Sequence, residues 1–310
     1  MNLFLAAVYT NQYRQSQKQY QHFNAREAQI VDNLPHILES YHYVGKQRFV
    51  DEMRASGGKV FLDSGAFSAK SLGVDIDING YCDYIIRNRD ILRVEDGVVM
   101  ASVLDGIGDP LLTWQNQLYM EQRGATPLPC FHFGEDERYL EWYVERYPYI
   151  TIGGMVRTSA EDVMQWLDRI WNRYLLDGSG RPRLKVHAFG VTTISLMERY
   201  PWHSVDSSSW IQAASFGSIY TVEHGPVAVS ALSPSRHEAN RHLSTLPEVV
   251  RQHIEQQLAD EGFNYERLST VYQSRAAFNM LGYMKLNVKL NNHFAETGGV
   301  LDCHKVQQLF

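Results

Sequence analysis

Two aspartates stand out because of what surrounds them. Val60-Phe61-Leu62-Asp63-Ser64-Gly65-Ala66-Phe67 and His203-Ser204-Val205-Asp206-Ser207-Ser208-Ser209-Trp210 each end a short apolar run in a carboxylate, then turn through small residues. Two carboxylates delivered this way into one pocket supply a nucleophile and a proton carrier. That pairing can break and remake a glycosidic bond by two successive displacements. Other polar or small residues fall at like positions: Asp105, His132, Gly153, Gly154 and Gly190 each close or follow a β-like run. A single Asp or Gly there commonly starts a loop or caps a helix. Their recurrence at equivalent places is what carries information.

The elements that must position them alternate. β-like runs are read at 3–9, 59–62, 98–104, 127–133, 149–152, 184–189, 204–205 and 226–230. Amphipathic stretches lie between them at 25–43, 78–89, 111–123, 137–147 and 160–176. Strands alternating with helices predict a parallel sheet wrapped by helices. Eight such units predict a TIM (β/α)8 barrel, in which every strand end opens onto one face where active sites are built. The expectation is one α/β domain over 1–310, with a helical C-terminal cap at about 245–310.

Composition bounds the rest. Of the 310 residues, 44% are hydrophobic and 12% aromatic, which fits a sizeable core and not a disordered chain. No apolar run approaches the ~20 residues of a membrane span. The opening 3–9 stretch reads as a buried strand and not a leader, so no membrane partner and a cytoplasmic location are expected. Cys82, Cys130 and Cys303 form neither a CxxC nor a CxC pair, and Cys303-His304 would need ligands from elsewhere. This predicts no disulfide framework, no metal site and no cofactor. The net charge of −6 is not the footprint of a protein held to nucleic acid by bulk charge. A polyanion would need a local patch such as Arg181/Arg183/Lys185, Arg236/His237/Arg241/His242 or Lys285/Lys289, each of which ordinarily reads as a solvated face.

Several segments, in chain order, resemble one family. Asp63-Ser64-Gly65-Ala66-Phe67 resembles the Asp-Ser-Gly-Gly-aromatic signature of tRNA-guanine transglycosylases, the queuine tRNA-ribosyltransferases. Ser102-Val103-Leu104-Asp105 resembles the strand end carrying their base-recognising aspartate, and Phe131-His132-Phe133-Gly134 lies where they have a Gln-Gly strand end. Ile152-Gly153-Gly154-Met155-Val156, His187-Ala188-Phe189-Gly190-Val191, Val205-Asp206-Ser207 and Phe216-Gly217-Ser218-Ile219-Tyr220-Thr221 are similar to their Gly-Gly turn, His-Leu-Met-Gly-Val segment, nucleophile and downstream Gly-x-x-aromatic-Thr. The family's C-terminal zinc cluster, Cys-x-Cys-x-x-Cys plus His, has no counterpart here, His132 replaces the Gln, and Ser68 follows the aromatic. These departures resemble the divergent DNA-guanine transglycosylases of phage and bacterial genome modification.

The resemblance implies a pentosyltransferase that exchanges guanine in DNA for a free 7-deazaguanine base, such as 7-cyano-7-deazaguanine. Asp206 is the nucleophile and Asp63 the proton carrier; Asp105, Ser64, Phe67, His132, Gly153, Gly154 and Phe189 bind the base. Asp105 would accept from N1–H and the exocyclic amine of a guanine-like ring. Gly153 and Gly154 would let backbone approach its edge, Phe67 and Phe189 would sandwich it, and His132 would bond its carbonyl. A duplex base would have to be flipped out, with Trp202, Trp210 and Tyr220 as candidate rings to hold the opened strand, although core or loop packing is the commoner role for the two tryptophans. The alternatives are a tRNA-guanine transglycosylase without zinc, a noncatalytic barrel binding nucleic acid or a partner, and a metal-dependent hydrolase, which lacks its usual His-x-His after the first strand. DNA is favoured over tRNA; a homodimer or a partner protein is left open.

Overall fold

A computed structural model describes residues 1–156, 158–191 and 193–297. The chain divides into two compact units. One comprises Met1–Thr10, His36–Ser207 and the chain from Leu290; the other comprises Asn11–Pro35 and Ser208–Lys289.

The first unit is built on a curled parallel sheet of seven strands. They are β1 (Asn2–Ala6), β2 (Ile37–Ser40), β3 (Val60–Asp63), β6 (Cys130–His132), β7 (Tyr149–Gly153), β8 (Lys185–Ala188) and β9 (Ser204–Ser207); a small antiparallel hairpin, β4 (Val94–Glu95) with β5 (Val98–Val99), lies between β3 and β6 in sequence. The sheet order is β3-β2-β1-β9-β8-β7-β6. Residues just after β5 reach both ends of that order. Leu62 pairs in parallel with Ala101, and Ser102 with Leu128, through hydrogen bonds from Ser102 N to Leu62 O (2.8 Å) and from Val103 N to Leu128 O (2.9 Å).

Strands alternate with helices at Gln47–Ala55, Ile78–Arg87, Pro110–Gln122, Glu137–Arg146, Ala160–Ile170 and Ile194–Arg199. Four of the starts are written in the sequence. Asp77, Asp109, Asp136 and Ser159 each accept a first-turn backbone N–H, and Pro110 takes a position where its missing N–H costs nothing.

The period-two alternation of a strand explains the interior. Phe4, Leu38, Phe61, Met100, Leu128 and Tyr149, from different strands and the 100–103 segment, form one buried apolar cluster. Two residues further along come Ala6, Ser40, Asp63, Ser102, Cys130 and Thr151. Small and polar side chains therefore succeed a layer of large apolar ones, on the same face and nearer the C-terminal edge.

The second unit holds the antiparallel hairpin β10 (Ser218–Thr221) and β11 (Gly225–Ala228), with helices that include Ser209–Ser215 and Glu248–Asp260. Its packing is tied by Asn279, whose side chain accepts from Tyr220 N and donates to Trp210 O and Ser218 O, and by Arg267, which grips the fully buried Glu27 with two 2.7 Å bonds.

Two expectations are corrected. The stretch 25–43 is not one helix: the helix Ala25–Asp32 ends before Pro35, and Ile37–Ser40 is a strand of the main sheet. Proline removes a backbone donor and biases the residue before it toward extended backbone. The run 226–230 is not a strand of the parallel sheet; it pairs antiparallel with β10 across a short turn.

Phe61 lies beneath the polar layer and touches Phe4, His187 and Phe189. Phe61→Ala is expected to cost about 3–5 kcal/mol, read as a lowered urea midpoint with an unchanged slope.

Candidate active site

In a parallel sheet all strand ends of one kind share an edge. Asp63 ends β3, His132 ends β6, Gly153 ends β7 and Asp206 is the penultimate residue of β9, while Gly190 follows β8 by two residues. The polar residues singled out in the sequence are thus gathered on the C-terminal edge.

Asp63 is held by hydrogen-bond donors. Its Oδ2 accepts from Ser40 Oγ at 2.8 Å and Gly65 N at 3.0 Å, and Oδ1 from Ser102 Oγ at 3.4 Å. The turn that returns Gly65 to Asp63 needs a left-handed residue: Gly65 has φ 78°, and a Cβ there would stand 2.6 Å from the Cβ of His42. Burial pushes the Asp63 carboxyl up to about 6; the Ser40 and Gly65 bonds oppose the rise, and the charges of Asp105 and Asp206 add to it. Ser64 is buried, its N–H bonded to Ser102 Oγ and its Oγ accepting from Ala66 N, which makes it part of the turn.

Asp206 is also buried. Its Oδ1 accepts from Gly190 N at 2.9 Å and lies 3.4 Å from His187 Nε2. The other ring nitrogen of His187 is 2.7 Å from Ser204 Oγ, which meets Tyr149 OH at 2.6 Å. Burial lowers the His187 pKa against the pull of Asp206, so the ring is held neutral as a spacer behind the carboxylate.

Asp105 and His132 are brought together, with His132 Nε2 3.6 Å from Asp105 Oδ2. His132 Nε2 also lies 3.5 Å from Cys130 Sγ. Glu135 grips the same histidine twice, accepting from its backbone N at 2.9 Å and meeting Nδ1 at 3.0 Å. Burial opposes protonation of His132, but Cys130 and Asp105 outweigh it and hold the pKa well above the ordinary imidazole value. Burial pushes the Cys130 thiol up to about 11, with Asp105 adding to the rise. Asp105, Cys130 and His132 present donor atoms all within 4.8 Å of one another.

Gly153 and Gly154 flank this group. A Cβ on Gly154 (φ 76°) would meet His132 Cβ and Phe133 N at 3.0 Å, so these glycines admit the histidine. Phe189 packs on Phe61 and His187, whereas Phe67 is 52% exposed on the helix Ala66–Ser71. A pocket of about 700 Å3 is lined by Asp105 together with Lys70, Asp75 and Asn116.

Core packing, the favoured reading for Trp202 and Trp210, holds for both, and Tyr220 is corrected to the same role. Trp202 is buried against Trp171 and donates to Leu196 O; Trp210 is buried against Tyr13, and Tyr220 against Tyr283. These rings pack cores and present no face to a strand of nucleic acid. Sequence reasoning missed Ser40, Ser102, Cys130, Glu135 and His187 as working neighbours. The spacing Cys130-x-His132 on a strand, which puts both side chains on one face, was the available signal. It also missed Glu39, a fully buried carboxylate raised to about 7 by burial, which accepts from Tyr9 N and Thr10 Oγ1 and clamps the turn after β1.

Compared with models of known protein families and with curated proteins, the sequence matches none.

Removing a donor from a carboxylate disfavours its charged form. Ser40→Ala is therefore expected to raise the Asp63 pKa above about 6, followed by carbon-13 NMR titration of labelled aspartate. An unchanged value would mean that the Ser40 bond does not act on the carboxyl.

Proposed function

We propose that this protein is a base-exchanging pentosyltransferase of the tRNA-guanine transglycosylase kind, acting on guanine in DNA and inserting a 7-deazaguanine base. The observation that carries the reading is the pair Asp63 and Asp206. Both are strand-end carboxylates on one sheet edge, held in different surroundings: Asp63 favours its proton through burial, with the charges of Asp105 and Asp206 adding to it, while Asp206 accepts from Gly190 N with His187 behind it. Divergent environments are what assign separate acid and nucleophile roles to two carboxylates. We read residues 100–103 as an eighth stave closing the sheet into a (β/α)8 barrel, supported by their parallel bridges to both β3 and the segment before β6.

In this mechanism an Asp206 oxygen attacks C1′ of the target nucleotide from the face opposite the base. The C1′–N9 bond breaks, its electron pair leaves with guanine, and the proton on Asp63 goes to the departing base. The result is an aspartyl-sugar ester. An incoming 7-deazaguanine gives its N9 proton to Asp63, and that nitrogen attacks C1′, releasing Asp206 as carboxylate. Two inversions retain configuration. Asp105 accepts from the N1–H and amino group of the base, His132 bonds its carbonyl, Gly153 and Gly154 border its edge, and Ser64 supports the Asp63 turn. Phe189 and the exposed Phe67 are the rings available for stacking.

Labelled guanine or 7-cyano-7-deazaguanine, offered with duplex DNA, single-stranded DNA and bulk tRNA, is expected to enter DNA alone. Asp206→Asn should lose at least a thousandfold in incorporation and form no covalent adduct. Label in tRNA would return the chain to the zinc-free tRNA reading, and label in neither would overturn the proposal.

Base departure uses protonated Asp63, so its rate is expected to fall about tenfold per pH unit above about 6. Single-turnover guanine release measured against pH should show that limb, and Asp63→Asn should flatten it.

A further inference from the structure

We infer that Asp105, Cys130 and His132 form a three-ligand site for a divalent transition-metal ion, zinc being the ion that the donor set suits best. The inference stands on these side chains and does not rest on the base-exchange reading.

Local geometry supplies the donors. Cys130 and His132 are two residues apart on β6 and so share a face. Asp105 arrives from the neighbouring segment, which Ser102 and Val103 tie to Leu128, two residues before Cys130. The spacings fit a tetrahedral ion. Sulfur at about 2.3 Å and nitrogen at about 2.0 Å from zinc lie roughly 3.5 Å apart. Cys130 Sγ and His132 Nε2 are 3.5 Å apart, and His132 Nε2 and Asp105 Oδ2 are 3.6 Å apart.

The surroundings match what a metal-binding histidine requires. Glu135 Oε1 takes Nδ1–H at 3.0 Å, which fixes the ring and turns Nε2 toward Cys130 and Asp105. A carboxylate behind the histidine is the usual outer support of such a ligand. Gly153 keeps the space open: a Cβ there would stand 3.3 Å from His132 Cδ2 and 3.6 Å from Cys130 Sγ. The Asp105 side chain is 9% exposed, and its Oδ1 is buried without a hydrogen-bond partner. An orphaned buried carboxylate oxygen is costly, and an ion that takes Oδ2 as ligand with Oδ1 close beside it would offset that cost.

Mixed S, N and O donors select zinc over magnesium or calcium, which take oxygen. Three protein ligands leave one tetrahedral position free, as in catalytic zinc sites. Of the three ligands, Asp105 also lines the pocket of about 700 Å3. With the ion bound, His132 Nε2 and an Asp105 oxygen are ligands, so the base contacts given above to these two residues belong to the metal-free site; the ion would polarise a ligand carbonyl instead.

The test uses the full chain stripped with chelator and titrated with Co2+. The expected result is a single equivalent bound, with tetrahedral visible bands and a thiolate-to-cobalt charge-transfer band, both displaced by Zn2+. The charge-transfer band should persist in Cys82→Ala/Cys303→Ala, where Cys130 is the sole thiol, and vanish in Cys130→Ser. Glu135→Gln should weaken affinity roughly 10–100-fold while keeping the band. No stoichiometric binding, loss of the band in the double variant, or its survival in Cys130→Ser would overturn the site. Because binding is read without turnover, failure of the base-exchange assay leaves this result intact, and the converse also holds.

Discussion

Parallel strand pairing governs this protein's chemistry. Parallel strands cannot be joined by tight hairpins, so each is followed by a crossover and every strand runs the same way. Ser40 is in register with Asp63, Phe4 with Asp206, and His132 with Gly153. Once that pairing is set, a polar residue at the end of any strand has no choice of edge. The same pairing stacks an apolar layer, with Phe4, Phe61 and Tyr149 in it, one step below the polar one. The apolar layer shields the carboxylates above it from water on one side. That burial is why Asp63 holds its proton to an unusually high pH.

The carboxylates are managed without surrounding them with strong cations. Asp63 is met by two hydroxyls and a backbone N–H, and Asp206 by a backbone N–H and a histidine kept neutral. Neutral donors stabilise a carboxylate while leaving it able to change protonation state or to attack, whereas a tight guanidinium pair would hold it charged and occupied. In the second unit the opposite choice is made. Glu27 is locked by Arg267, its carboxyl held below the usual range despite burial, and serves as a structural tie.

The strand-end positions of Asp63, His132, Gly153 and Asp206 were legible in the sequence, because a β-run broken by a carboxylate or glycine is a local pattern. What was not legible depended on tertiary competition. The stretch from Ala25 to Tyr43 carries helix-compatible apolar spacing throughout, and only the Asn33-Leu34-Pro35 break hints that Ile37–Ser40 is a strand; its pairing with β1 and β3 decides the matter. The run around Pro226 has strand composition, but composition does not say whether its partner is parallel or antiparallel. Trp202 and Trp210 already read more readily as core than as ligand-facing rings, Tyr220 was open, and packing made all three core. The Cys130–His132–Asp105 group was hidden because a search for cysteine pairs overlooks a single thiol completed by a histidine two residues on and an aspartate from another segment.

The two chemical halves of the site lie at opposite ends of the sheet order, Asp63 on β3 and Cys130 with His132 on β6. The segment from Met100 to Asp105 joins them. Its Ser102 donates to Asp63 and its backbone pairs with Leu62 on one side, while Val103 bonds Leu128 and Asp105 meets His132 on the other. This short stretch forms few regular strand bonds of its own, so its position is set by its two neighbours and by Tyr81, whose hydroxyl donates to Ser102 O at 2.8 Å. A displacement of Asp105 would pull on the backbone that carries Ser102, and hence on a hydroxyl that bonds Asp63. The two ends of the sheet order are thus joined through one short run of chain, from Ser102 to Asp105.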